Sequence, residues 1–167
     1  MLAVQIKEIK PFMGALLSAG LFDDFLMEEA VIRTSHTYTI DGHLQKDFYT
    51  KEELEDPAFP SHPLIDWKTV KDTCFRLIKG KRTPLLFKVT LHHPDSDSRS
   101  LLLQEGCGEL IPILKSFLLT IKFDQKGLIL TTGTSFSSFV MDRNADRIWD
   151  EAFLKFLTQN GISFEQL

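Results

Sequence analysis

The sequence predicts an α+β fold, a mainly antiparallel sheet of about seven strands with three to four helices packed on one face. Three observations predict it. Apolar residues recur at helical spacing in three separated stretches. Between them lie short alternating runs joined by hairpin-length connections. There are too few strand–helix–strand crossovers for a doubly wound parallel sheet.

Taken in order, Val4 and Ile6 suit a short opening strand. Ile9, Phe12, Met13, Leu16 and Leu17 then follow the i, i+3, i+4, i+7, i+8 spacing of an amphipathic helix. Pro11 falls in its first turns, where a missing N–H is tolerated, and Gly20 is a stop. Residues 26–34 are ambiguous, but they lead into SHTYTIDGHLQKDFY. There Asp41-Gly42, between two β-prone runs, predicts a two-residue turn pairing Ile40 with His43, Tyr38 with Gln45 and His36 with Asp47. Residues 51–64, acidic and holding three prolines, read as an exposed connection.

A second helix is predicted over 65–79. Trp67, Val70, Cys74, Leu77 and Ile78 share one arc, and Lys68, Lys71, Asp72, Arg76 and Lys79 the opposite one. Leu85, Phe87, Val89 and Leu91 alternate as a half-buried strand. HHPDSDSRS reads as a turn, with 101–104 returning as a partner strand, and 105–115 as a short helix. Phe117–Phe123 and LILTTGTSF form a hairpin about the DQKG loop, and 137–141 extends it or starts another strand. Ile148, Trp149, Ala152, Phe153, Phe156 and Leu157 line a last helix, with Asn144 as candidate N-cap and Gly161 as the stop.

The 167 residues fit one domain spanning 1–167, long enough to bury a core without disulfide or metal staples. Fourteen phenylalanines suggest that much of this core is aromatic. Cys74 and Cys107 follow no paired spacing, which points to a reducing compartment. Cys74 belongs to an apolar arc, whereas Cys107, between two glycines, reads as the more exposed thiol. The first residues lack the features of a secretory signal, and no apolar run approaches the roughly 20 residues that cross a bilayer. A cytoplasmic protein without membrane contact is expected.

Charge is unevenly placed. Residues 68–88 hold seven cations against Asp72, a segment of +6, which leaves −10 for the rest of a chain whose net charge is −4. Phe75 falls among these cations rather than on the apolar arc, an arrangement that suits phosphate neutralisation and base stacking. The structural account of the same residues is a solvated lysine face, with Phe75 under a loop and cations at a helix C-terminus.

Other chemistry finds less support. GKRT follows a helix and lacks the GxxxxG of a P-loop. TTGTSFSS reads as a Thr-rich strand with a glycine bulge. His92 and His93 point to opposite faces of a strand, so no metal site is predicted. Asp23, Asp24, Glu28 and Glu29 read as a solvated acidic edge. No catalytic residue and no cofactor are assigned, because GxSxG, HExxH and GxGxxG are all absent.

TIDGHLQKDFY at 39–49, LIKGKRTPLLFKV at 77–89 and TTGTSFSSFVMD at 131–142 resemble the signature stretches of a family of small uncharacterised bacterial proteins, chiefly from Firmicutes such as clostridia. That resemblance runs the length of the chain and implies no activity. The β-α-β-β order and the LILTTGT strand are also similar, more distantly, to the building block of DNA sliding clamps. This implies an alternative architecture of β-α-β-β-β repeats with a basic helix face lining DNA.

The function expected is therefore non-catalytic binding through Lys68, Lys71, Phe75, Arg76, Lys79, Lys81 and Arg82, toward nucleic acid or an acidic protein surface. A small enzyme with a site near His36 and Asp47, or near 131–138, is the alternative. A homodimer built on a sheet edge is a third arrangement.

Overall fold

Eight strands pair antiparallel into one sheet in a computed structural model that describes residues 1–167. The chain runs β1 (Ala3–Ile6), α1 (Ile9–Leu17), β2 (Leu26–Arg33), β3 (Thr37–Asp41), α2 (Lys51–Glu55), β4 (Ile65–Asp66) and α3 (Trp67–Ile78). It continues through β5 (Leu86–His92), α4 (Asp95–Gln104), β6 (Leu114–Asp124), β7 (Gly127–Phe136), α5 (Asn144–Gln159) and β8 (Phe164–Gln166). The strands lie in the order β3-β2-β5-β6-β7-β1-β8, and β4 pairs with β2 beside this path. The class is α+β, with one strand and one helix more than the sequence predicts.

Alternation decides which face is buried. Phe87, Val89 and Leu91 of β5, Phe117, Leu119 and Ile121 of β6, and Leu128 and Leu130 of β7 all point into one cluster of 28 buried residues. The buried stripes of α1 (Phe12, Leu16, Leu17), α3 (Trp67, Cys74) and α5 (Ile148, Trp149, Phe153, Leu157) close over them. Each buried indole finds an acceptor: Trp67 Nε1 donates to the Leu16 carbonyl oxygen at 2.9 Å, and Trp149 Nε1 to that of Leu118 at 2.8 Å. A buried N–H left unpaired would cost about 1–3 kcal/mol. The opposite face is half-buried, and Thr90, Thr120 and Thr131 stand side by side across β5, β6 and β7.

Four predicted elements come out differently. The Asp41-Gly42 turn does not form: β2 and β3 turn at 34–36 instead, and β3 pairs back on β2 from Arg33↔Thr37 to Glu29↔Asp41. Gly42 is there for close approach. Its N–H donates to the Glu28 carbonyl oxygen at 2.8 Å, its own carbonyl accepts from Ile65 N–H at 2.8 Å, and a Cβ would lie 1.8 Å from the Met27 carbonyl oxygen. The stretch 95–104, read as a turn and a strand, is helix α4. Asp95 and Asp97 favour its positive end, Arg99 pairs with Asp95 one turn on, and Ser98 and Leu102 are buried together. Residues 105–115 hold only a single 3-10 turn, Gly108–Leu110, before β6 begins at Leu114. No strand forms over 137–141, where Phe139 and Met141 are exposed.

The last helix starts at Asn144, but its first free N–H is answered from outside: Asp142 Oδ1 accepts from Asn144 N–H at 2.8 Å. Gly161 ends it in the left-handed region, φ 66°, as the stop requires.

Replacing Gly42 with alanine drives the added methyl group into the β2 backbone at Met27 and Glu28. A loss of about 2–3 kcal/mol is expected, read as a lower urea midpoint with an unchanged m value.

Candidate functional site

The cations of 68–88 divide by position. Lys71, on the half-buried flank of α3, reaches back to the loop after α1, where its Nζ lies 2.6 Å from Asp23 Oδ1 and 3.1 Å from the Ala19 carbonyl oxygen. It staples two elements and offers no charge to a partner. Lys88 alternates with the buried Phe87 and Val89, so it stands on the other face of the sheet, opposite Lys122. Lys68, Arg76, Lys79, Lys81 and Arg82 are exposed, and none of them lies in any of the nine ion pairs.

Phe75 is 38% exposed and carries Lys79 Nζ 5.9 Å from its ring centroid. It does not stand free as a stacking platform. With Ile78 it forms one wall of an apolar groove of about 350 Å³, whose other wall is Ile9, Met13 and Leu17 of α1 and whose lining also includes Phe87. Lys10 is the one charged residue lining this groove.

The largest cavity lies at the other end of β5, about 800 Å³ in volume, and four of the five histidines line it. His92 ends β5 directly beside Leu26 of β2, and a β-bulge between Met27 and Glu29 turns Glu28 toward it. Glu28 accepts a hydrogen bond from His92 Nε2 at 2.5 Å. His62, in the irregular segment before β4, donates from Nδ1 to the Leu64 carbonyl oxygen at 2.7 Å, and its Nε2 stands 3.7 Å from Asp66. The His43 backbone N–H donates to Asp41 Oδ1 at 2.9 Å and its Nδ1 lies 2.6 Å from the same oxygen, and these contacts, the backbone one foremost, hold the Asp41 carboxyl below its ordinary value.

His93 faces the opposite way from His92, as its strand position predicts. Its ring lies among Trp149, Phe25 and Phe117, at centroid distances of 4.7, 5.4 and 6.5 Å. Burial pushes its pKa down to about 4, with Asp97 pulling weakly upward.

The remaining sequence candidates are accounted for separately. The predicted cross-strand contact of His36 and Asp47 does not form, because Lys46–Phe48 is a 3-10 turn off the sheet. His36 instead meets Ser35 at 3.0 Å and packs on Tyr38. Hydroxyls of the Thr-rich strand are taken by α5: Thr132 donates to Asp150 and Thr134 to Asp146. The bulge expected at Gly133 sits across the ladder, between Leu114 and Ser116. The acidic run is also divided: Asp23 pairs with Lys71, Glu28 with His92, and Asp24 lines the cavity. Cys74 is buried, which raises its pKa to about 11. Cys107, expected outside, is only 8% exposed, because the turn after α4 folds back and its N–H donates to the Leu102 carbonyl oxygen.

The histidine cavity is hidden in the sequence because Glu28 and His92 lie 64 residues apart and meet Asp66 only through the order β4-β2-β5. The one local signal was the HHP string, where a strand ends and polar residues begin.

Fold and sites together define an α+β protein with a one-sided antiparallel sheet, a basic groove at α1 and α3, and a polar histidine cavity at the opposite end of β5. The chain belongs to the family of unknown function DUF5721, whose model matches residues 15–165. No curated protein and no solved structure matches it.

The depressed His93 pKa gives stability a defined acid dependence. Its unfolded state binds the proton more readily, so its contribution is intact above the unfolded value of about 6.5 and declines as pH falls toward 4. The expected loss is about 3 kcal/mol across that window. His93→Gln, followed by urea unfolding at a series of pH values, should flatten that part of the curve.

Proposed function

We propose that this protein is a non-catalytic binding protein whose α1–α3 groove and flanking cations receive an acidic, amphipathic segment of a partner protein. The observation that carries this reading is the coincidence of exposed, unpaired cations with an apolar groove that no carboxylate lines. Apolar anchors spaced along one face of a helix would enter between α1 and Phe75, in the manner of helix-in-groove recognition. Carboxylates beside those anchors would meet Lys10, Lys79 and Arg82. Each such pair speeds encounter and fixes register more than it adds affinity.

A protein partner fits these residues better than nucleic acid. Lys79 sits over the Phe75 ring, where a stacked base would otherwise lie. Lys71, which would contact phosphate, is held by Asp23.

Selection from a displayed library of peptides about 16 residues long provides the test. Recovered sequences should be acidic, with apolar residues at i, i+4 and i+7, and their affinity should fall as salt rises. Phe75→Ala and a Lys79→Glu/Arg82→Glu double variant should each weaken binding about tenfold or more. Lys71→Met should instead lower stability and leave affinity unchanged. Recovery of neutral or basic peptides, or salt-dependent binding of single-stranded DNA lost in the same double variant, would sink the reading.

A further inference from the structure

The 800 Å³ cavity plays no part in that interface, and its hydrogen-bonding character is one-sided. Each of its four imidazoles has one ring nitrogen tied to an acceptor. A carbonyl oxygen only accepts, so His62 carries its proton on Nδ1, toward Leu64. Carboxylates likewise accept from His43 Nδ1 and His92 Nε2. Ser98 Oγ donates to the Pro94 carbonyl oxygen at 2.9 Å, so the 2.8 Å contact with His93 runs from Nδ1–H to Oγ. The second nitrogen of every neutral ring is therefore a lone pair. No buried side-chain nitrogen or oxygen lacks a partner, so the free nitrogens of the half-buried His62, His92 and His93 reach solvent.

Charge runs the same way. Four carboxylates line the cavity, Asp24, Glu28, Asp66 and Asp95, against the single ammonium of Lys115. Asp95 is partly answered by Arg99 at 2.9 Å, which leaves the other three facing the cavity's one cation. Of the five lining serines, Ser96, Ser98 and Ser116 donate their protons to Asp97 and to the Pro94 and Phe117 carbonyl oxygens, so the walls accept more than they donate and the complementary ligand is a cation with many N–H groups.

The spacing selects among cations. No three His, Cys, Asp or Glu side chains share a centre that would hold a metal ion. Asp66 and His92 instead flank Leu26 in one cross-strand row. Two strand spacings separate their backbones by about 10 Å. One acceptor group, His62 with Asp66, thus stands at one side of Leu26, and the other, Glu28 with His92, at the opposite side. That separation matches the two ends of an extended diamine or triamine rather than a point charge. A volume of about 800 Å³ also falls in the range of small-molecule sites.

We propose that this cavity binds a small organic polycation, with one ammonium or guanidinium group held by Glu28 and His92 and a second by Asp66 and His62. Only two of its three hydrophobic lining residues, Leu26 and Leu64, adjoin these groups in sequence, and they would pack the methylene chain between the charges.

Isothermal titration of the full chain with putrescine, spermidine and agmatine tests this, with butylamine, glucose and zinc chloride in parallel arms. At least one of the first three should bind about tenfold tighter than butylamine, and glucose should not bind. Glu28→Gln and Asp66→Asn should each weaken that binding about tenfold, with unchanged circular dichroism. Lys115→Gln, an exposed change, should tighten it several-fold, a direction that loss of structure does not produce. The proposal is overturned if none of the three polycations binds, or if Glu28→Gln, Asp66→Asn and Lys115→Gln all leave their affinity unchanged. Zinc binding tighter than every amine would make the cavity a metal site instead.

Discussion

The structure depends on how one edge of β2 is shared. Along Glu29–Arg33 that edge carries β3, and along Leu26–Met27 it carries β4. The chain changes from one partner to the other at Gly42, where backbone lies against backbone without room for a side chain. On the opposite edge β2 pairs with β5 through a bulge at Glu28. Position of the histidine cavity follows from these facts. β4 brings Asp66 beside Leu26, β5 brings His92 to its other side, and the bulge turns Glu28 between the strands.

Periodicity made much of this legible. Helices α1, α3 and α5 and strands β5, β6 and β7 were readable because each buries one face, and burial writes its own period into the chain. Asp41-Gly42 failed as a turn because the same dipeptide serves two physical needs. A glycine permits positive φ, and it also permits close approach; only the neighbouring strands decide between them. The α4 stretch hides its helix because its first six residues are polar and its buried side, Ser98 and Leu102, is too sparse to show a helical period. In the basic segment, sequence reading located the cations. It could not see that Asp23 engages Lys71 or that Phe75 closes a groove, since both partners come from α1 and the loop after it.

Polarity is thus segregated around an aromatic core. Cations collect where α3 ends and its loop turns, and acceptors collect where β5 ends and α4 begins. The acidic remainder of the chain, −10 in sum, is not a uniform coat: Asp24, Glu28, Asp66 and Asp95 gather in one cavity, while Asp146 and Asp150 secure α5 to β7 through Thr134 and Thr132. Aspartate therefore serves as cavity-lining charge in one place and as an interlayer hydrogen-bond acceptor in another.

Strand β1 lies between β7 and β8, its residues 3–6 pairing with 128–131 on one side and its residues 4–6 with 164–166 on the other. During synthesis β1 leaves the ribosome long before either neighbour exists. The hairpin of β6 and β7 can form from adjacent residues, but the slot beside it closes only once residues 128–131 and 164–166 have been made. Such distant pairings are slow, because loop-closure entropy is lost before any contact is gained. Until then the apolar side chains of Val4 and Ile6 have no sheet to enter, and a strand left unpaired in this way is open to pairing elsewhere.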